Sequence, residues 1–407
     1  MFRLFLFQSI RPAIFCLFFV LAFSSSAKAA ADNSPDESVS NALNYLLETV
    51  QQKQRALDME KLSPLLEFAF NASNMGDEAQ KINSLAHGEG VVLHKNINAT
   101  MNKMLSYAFN PQVPAELVYP NVIRRGHWLP GSEILNLKSP IETLFASKEN
   151  PLLLYGKEFE IITPDSNSGS YYEYTLNRCL LAFDEQGKKV LISIAQQAGP
   201  SSVGKKAFIL NGDSSWNYVY SNEEGTNLSG IGWAEPVMYD SCTVSVYYEK
   251  QAAESPIGCT VFKWVNAGWG GINMVKKEHL VTGTNRFFTG FNEILASALT
   301  PSPAKMIAEK QRVSSLSRAE RLAEFFPYAR YVGEVASTNP PNKTYSSMFK
   351  DKSYADLLSD DNLISQMLKN YLRKEMKKTD LLELPSKQEL EEATLSTASK
   401  NASSSPN

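Results

Sequence analysis

The chain has 407 residues, of which 43% are apolar and 20% charged, and its formal charge is −3. A chain of this length is expected to form one large domain or two ordinary ones. The mildly acidic balance leaves no general electrostatic footprint for nucleic acid or an anionic membrane surface, so neither is expected as a partner.

The N-terminus carries the three parts of a secretory signal in order: Arg3 and Arg11, the apolar run AIFCLFFVLAF from Ala13 to Phe23, then SSSAKA. Ala27 and Ala29 give the small-x-small pattern of a cleavage site, so residues 1–29 read as a signal peptide cut after Ala29. A membrane anchor needs roughly 20 apolar residues, and Arg11 and Pro12 interrupt this run. Cys16 lacks the preceding small residues of a lipid-attachment site. Removal of the signal takes three positive charges with it and leaves 378 residues at a formal charge of −6. No later stretch approaches membrane-spanning length. The product is expected to be soluble, periplasmic or secreted, with no stable membrane insertion.

Residues 30–149 read as a helical N-terminal region. SPDE opens a helix, with Ser34 as cap, Pro35 in the first turn and Glu37 three residues after the cap. Leu43, Leu46, Leu47, Val50 and Leu57 follow at helical spacing. Further helices are expected through KLSPLLEFAFNAS and ATMNKMLSYAF. Residues 150–268 change to short runs rich in Tyr, Val, Ile and Phe, separated by turn chemistry such as DEQGKK and DSNSGS. Tight links between short strands favour antiparallel pairing, since parallel neighbours need crossovers of a dozen or more residues. Residues 269–384 return to helical spacing. The clearest helix is SDDNLISQMLKNYLRKEMKK, capped by Ser359, with Asp360 and Asp361 at its positive end and Lys377 and Lys378 at its negative end. STNPPNKT reads as an extended linker before it. Residues 385–407 lack the apolar surface to offset the entropy of ordering and read as a disordered tail. The expected fold is α+β, a central antiparallel sheet flanked by N-terminal and C-terminal helical segments.

Among motifs, GPSSVGKK (Gly199 to Lys206) places Gly199, Gly204 and Lys205 as a phosphate-binding loop would. Over these eight residues it is similar to the phosphate loop of guanylate kinases. Lys206 replaces the magnesium-binding hydroxyl, and AFILNG reads as a strand where that loop requires a helix, so the stretch is expected to be a hairpin loop. HGEGVVLH offers His87, Glu89 and His94, but residues seven apart face opposite sides of a strand, and no metal site is expected. Cys259 and His279 form the weakest kind of thiol–imidazole candidate, with no nucleophile signature around the cysteine. No cofactor is implied.

The remaining candidates are aromatic or basic. In WVNAGWGGINMVKKEHL, Trp264 and Trp269 flank a tight turn that includes Gly270 and Gly271, where strand pattern yields to helix pattern. With Trp233 nearby, such a turn is a candidate pocket wall, offering apolar faces beside hydrogen bonds. The competing reading is a packed sheet-to-helix junction. RRGHWLPGSE, expected as a loop, brings Arg124, Arg125 and His127 together beside Trp128; guanidinium groups hold carboxylate or phosphate in bidentate fashion. Three cysteines follow the signal: Cys179, Cys242 and Cys259. One bridge with one free thiol is the simple count, and three buried thiols is the alternative. If CTVSVYYEK and CTVFKWV form a hairpin, Cys242 and Cys259 start opposite ends of it, so any bridge must use Cys179.

The leading functional expectation is a binding or interaction protein of the bacterial cell envelope, taking a protein, peptide or glycan near Trp264 and Trp269. The alternative is a hydrolase acting on an envelope polymer, with Glu235 and Asp240 near Trp233 as acid and base.

Overall fold

The computed structural model describes residues 35–75, 79–82, 88–146, 151–165, 169–228, 232–251, 256–338, 340–341, 343–349 and 353–378. The export signal with its cleavage site and the tail beyond residue 384 lie outside the described residues. Helix α1 (Glu37–Gln52) starts at Asp36, whose carboxylate accepts the Val39 N–H at 3.0 Å. The cap is therefore Asp36, two residues after the expected Ser34, and it adds negative charge at the positive end of the helix. Helix α2 (Ser63–Asn71) follows. Together their apolar stripes, Val39, Leu43, Leu46, Leu47 and Val50 with Leu65, Leu66 and Ala69, cover one face of a sheet.

That sheet draws strands from a wider stretch than expected. β1 (Gln80–Ile82), β2 (Glu89–Ile97) and β3 (Ile123–Trp128) all lie in the nominally helical region 30–149. Between β2 and β3 run α3 (Met101–Met104), a π turn through Phe109, and α4 (Ala115–Val118). β4 (Leu152–Ile162), β5 (Ser170–Tyr171), β6 (Glu173–Glu185), β7 (Lys188–Gln197), β8 (Lys205–Ile209) and β9 (Tyr218–Glu224) come next. They are followed by β10 (Thr226–Leu228), β11 (Gly232–Ala234), β12 (Val237–Tyr248), β13 (Ile257–Trp269) and β14 (Ile272–Asn273). The large sheet has the order β1-β2-β13-β12-β7-β6-β4-β3, with β14 on β13, and its pairs are antiparallel, as expected. β5, β8 and β9 form a separate small sheet, and β10 pairs with β11. The DEQGKK turn is where the sequence puts it: Gln186 and Gly187, both at positive φ, join β6 to β7.

The second face of the large sheet is covered by the small sheet and the C-terminal helices, α5 (Lys277–Ala296), α6 (Pro303–Ser315), α7 (Arg318–Thr338), α8 (Lys343–Met348) and α9 (Asp360–Glu375). Thus the two expected helical flanks do enclose one antiparallel sheet. Cap and charges of α9 are as expected, with Ser359 accepting from Asn362 N–H. Its buried side is not purely apolar, since Gln366, Lys369 and Arg373 are buried beside Leu363, Leu368 and Leu372. Among the described residues no helix is long and apolar enough to cross a membrane.

The three cysteines are free and buried. β12 and β13 form the expected hairpin, with Cys242 opposite Trp264 and Cys259 opposite Tyr247, so these two sit far apart along the pair. Cys179 and Cys242 share a face but have β7 between their strands, about 9.5 Å from backbone to backbone. Cys259 faces the opposite layer. A bridge needs Cα atoms within roughly 4.4–6.8 Å, which no pair satisfies, and the expectation of one disulfide is corrected to three buried thiols.

Candidate functional site

The tryptophan turn is not one site. Trp264 points into the α1/α2 layer, 1% exposed, across from Gly90. Trp269, five positions on, takes the opposite parity and sits half-buried at the end of β13. Gly270 and Gly271, at φ +60° and +80°, make the two-residue turn from β13 to β14, where only glycine holds such angles cheaply. That turn is a solvent-facing hairpin tip with Ile272 62% exposed beyond it, and the expected pocket between two tryptophans does not form. Trp233 stands in β11 opposite Asn227. Glu235 is exposed in the link before β12, and Asp240 lies in β12 opposite Asn266.

RRGHW is a strand, not a loop. It is β3, the edge of the large sheet, and successive residues therefore diverge. Arg125 reaches Asp361 at the start of α9, 2.8 Å away. His127 is exposed, its ring tilted against that of Phe159, and partial desolvation of the imidazole followed by the Arg125 charge lowers its pKa. Arg124 turns inward and is 4% exposed. Cys259 and His279 are likewise apart. The cysteine is wholly buried, which pushes its thiol pKa up rather than activating it, while the exposed His279 accepts the Lys276 N–H through Nδ1 in the first turn of α5.

GPSSVGKK joins β7 of the large sheet to β8 of the small one, so it is a link between sheets rather than the expected hairpin loop. No helix follows it. Lys206 pairs with Glu223 at 2.8 Å, and Lys205 lies 3.5 Å from Glu173, leaving the loop without the geometry of a phosphate cradle. His87 lies outside the described residues. Glu89 pairs with Lys81, and His94 is buried opposite Thr260. No group of three His, Cys, Asp or Glu gathers among the described residues.

A different constellation does gather, on the face of the large sheet that the C-terminal layer covers. Glu158 and Glu160 of β4 share that face with Tyr174 and Arg178 of β6, because Glu160 pairs with Tyr174 and Gly156 with Arg178. The Tyr174 hydroxyl donates to Glu160 Oε2 at 2.9 Å. Arg178 Nε stands 3.1 Å from Glu158 Oε2, an ion pair whose approach is out of line with the N–H bond, so that donor still lacks an acceptor. Trp128, paired with Glu158 from β3, lies across Gly156, where an added Cβ would come within 3.0 Å of the ring. The guanidinium of Arg178 sits 5.7 Å from the centre of that ring. Tyr119, stacked on Phe287 of α5 at 4.9 Å, has a phenol that feels the charges of Arg178, Glu158 and Glu160.

The polar stripe continues across the sheet through Ser193 of β7 and Thr243 and Ser245 of β12 to Lys263 of β13. Lys263 and Glu160 are several strands apart on the same face, yet each favours the charged form of the other. Burial sets the direction for the carboxyls, the phenols and Lys263, while at Arg178 it opposes the charged form and is outweighed by Glu158 and Glu160, which raise that pKa. Burial raises Glu158, and with the Glu158 charge it raises Glu160 from 4.5 to about 7, against Arg178, the Tyr174 bond and Lys263. Burial also lowers Lys263 and raises Tyr174 and Tyr119. Arg178 and Glu158 nevertheless keep 16% and 12% of their side chains accessible.

Two carboxyls, two cations and two phenols can hold a polar ligand through several charge-assisted hydrogen bonds, or pass a proton between carboxyls. Glu235 and Asp240, the carboxylates expected from the sequence to act as a pair, are not part of this cluster. The available signal was alternation: KEFEI and TVSVYY place Glu, and then Thr and Ser, at every second position of strands with helical segments on both sides. Comparison with protein-family models, with curated proteins and with solved structures finds no match to this chain.

Proposed function

We propose that this is an exported protein of the cell envelope that binds a small polar ligand in the recess formed by Glu158, Glu160, Tyr174, Arg178 and Lys263. Export rests on the N-terminal sequence. The binding role rests on one observation: ionisable side chains line a sheet face that a second layer covers, where packing alone favours apolar side chains. Arg178 would hold an acidic group of the ligand, and Trp128 and Tyr119 would bound it with aromatic faces.

The test is to recover the protein from envelope extract, read its N-terminus and identify released small molecules by mass spectrometry. A chain beginning at Ala30, a co-purifying polar compound, and loss of that compound in folded Arg178→Leu support the proposal. A full-length cytoplasmic chain overturns the export. A wild-type protein that carries nothing and gains no thermal stability from extract, beside a fully stable Arg178→Leu, reduces the cluster to a structural network.

The unequal surroundings of Glu158 and Glu160 favour a second reading, a hydrolase of an envelope polymer in which a protonated Glu160 is the acid. Release of soluble fragments, abolished by Glu160→Gln, would establish it; no release at any pH would remove it.

A further inference from the structure

Arg124 is the extra residue of a β-bulge. Ile123 pairs with Ile162 and Arg125 with Ile161, so Arg124 has no residue opposite it and its side chain leaves the ladder. It runs instead toward the small sheet, where its guanidinium stacks over Tyr220 at 3.9 Å and over Tyr171 at 4.9 Å. These two rings meet edge to face, 5.2 Å apart.

The neighbourhood is rich in cations. Arg286 is bound to both carboxylate oxygens of Asp213, at 2.8 and 2.7 Å. Lys369 donates to Pro120 O and Ile123 O, each at 2.7 Å, and Glu116 accepts from Ser365. Burial, with smaller contributions from Arg286 and Arg124, pushes the Lys369 ammonium toward its neutral form. Each nearby anion thus has a partner. Arg124, 4% exposed, has neither a carboxylate nor a hydrogen-bond acceptor among the described residues.

Aromatic stacking satisfies the faces of a guanidinium and leaves its edge, with five N–H donors in one plane. A buried charge in that condition is costly unless an anion completes it. The ring beneath it supplies a second unused donor, because the Tyr220 hydroxyl is sealed from solvent without a hydrogen-bond partner. We infer that Arg124 and the Tyr220 hydroxyl form an oxyanion site, taking the paired oxygens of a carboxylate or phosphate at the junction of β3 with the small sheet. Its residues are separate from the Arg178 recess, so either site can exist without the other.

The experiment compares melting temperature in rising concentrations of inorganic phosphate, acetate and chloride at matched pH and ionic strength. A saturating rise with phosphate or acetate that chloride does not give is expected, and the more effective ion tells which oxyanion the site prefers. Arg124→Met should abolish the rise, Tyr220→Phe should weaken the apparent affinity about tenfold, and Arg178→Leu should leave it intact. Equal behaviour of the three ions, or a rise that survives in Arg124→Met, overturns the inference. Should Arg124→Met fail to fold, Tyr220→Phe decides alone, and an unchanged affinity in it also overturns the site.

Discussion

Glu160 carries a pH dependence whose sign follows from its surroundings. Its pKa in the folded chain is about 7 against 4.5 when exposed, so between these values the native state keeps a proton that the unfolded chain releases. The resulting stability is complete below pH 4.5 and is lost as pH rises to about 7, on the order of 3 kcal/mol. Glu160→Gln keeps an acceptor for Tyr174 and removes the titration; urea unfolding should show the variant gaining on the wild type from pH 4.5 to pH 8. A constant difference would mean that Glu160 ionises freely. Lys369 acts in a separate window. Its pKa falls from 10.5 to about 7, and a neutral amine still has two N–H donors for its two carbonyl acceptors, so its penalty is full below 7 and relieved as pH rises toward 10.5. The thiols show what counting misses. Burial raises Cys179 to about 12 and raises Cys242 and Cys259 as well, so none should react with iodoacetamide until the chain is unfolded, and mass mapping should recover all three unpaired. A Cys179–Cys259 peptide would contradict their placement on opposite faces. The alternation of Glu158 with Glu160 and of Thr243 with Ser245 was visible in the sequence, but which face each strand turned to the covered layer was not, because that depends on pairings between distant segments.

Elements with strong local signals were legible: α1, α9, the β6/β7 turn and the β12/β13 hairpin follow from spacing, caps and turn residues. β3 was not, since RRGHW carries no apolar alternation and becomes a strand only by pairing with β4. The glycines of β2 and β13 are similarly silent in isolation. Gly90 stands opposite Trp264 and Gly258 opposite Tyr248, and in each pair the aromatic ring lies over the glycine, where a Cβ would collide with it. Tyr248 in turn packs edge-on to Phe70, 4.9 Å away, just before the chain leaves α2. Gly258→Ala should therefore lift Tyr248 off the α2 side and cost about 1–3 kcal/mol by overpacking. Calorimetry should find that Gly258→Ala combined with Tyr248→Ala costs less than the sum of the single changes. Strict additivity would show that the ring and the glycine are independent.

At the scale of the molecule, the division by composition into helical, strand-rich and helical stretches does not mark independent folding units. Residues 30–149 supply β2, which pairs along nine residues of β13, and β3, which pairs with β4, so the strand-rich stretch is bordered on both sides by strands from before it. Its two faces are closed by α1 and α2 on one side and by the small sheet and the C-terminal helices on the other. A fragment of residues 150–268 would expose Phe262, Trp264, Val244 and Leu181 on one face and Leu180, Leu191 and Val261 on the other, together with unpaired edges on β13 and β4. It should aggregate rather than fold, while the chain from residue 35 to 378 should unfold in one transition by calorimetry, with the van't Hoff and calorimetric enthalpies equal. The reason is that neither layer can leave without uncovering the same sheet. A monomeric 150–268 fragment with its own cooperative transition, or two resolved transitions in the longer chain, would show that the shared sheet does not couple the layers.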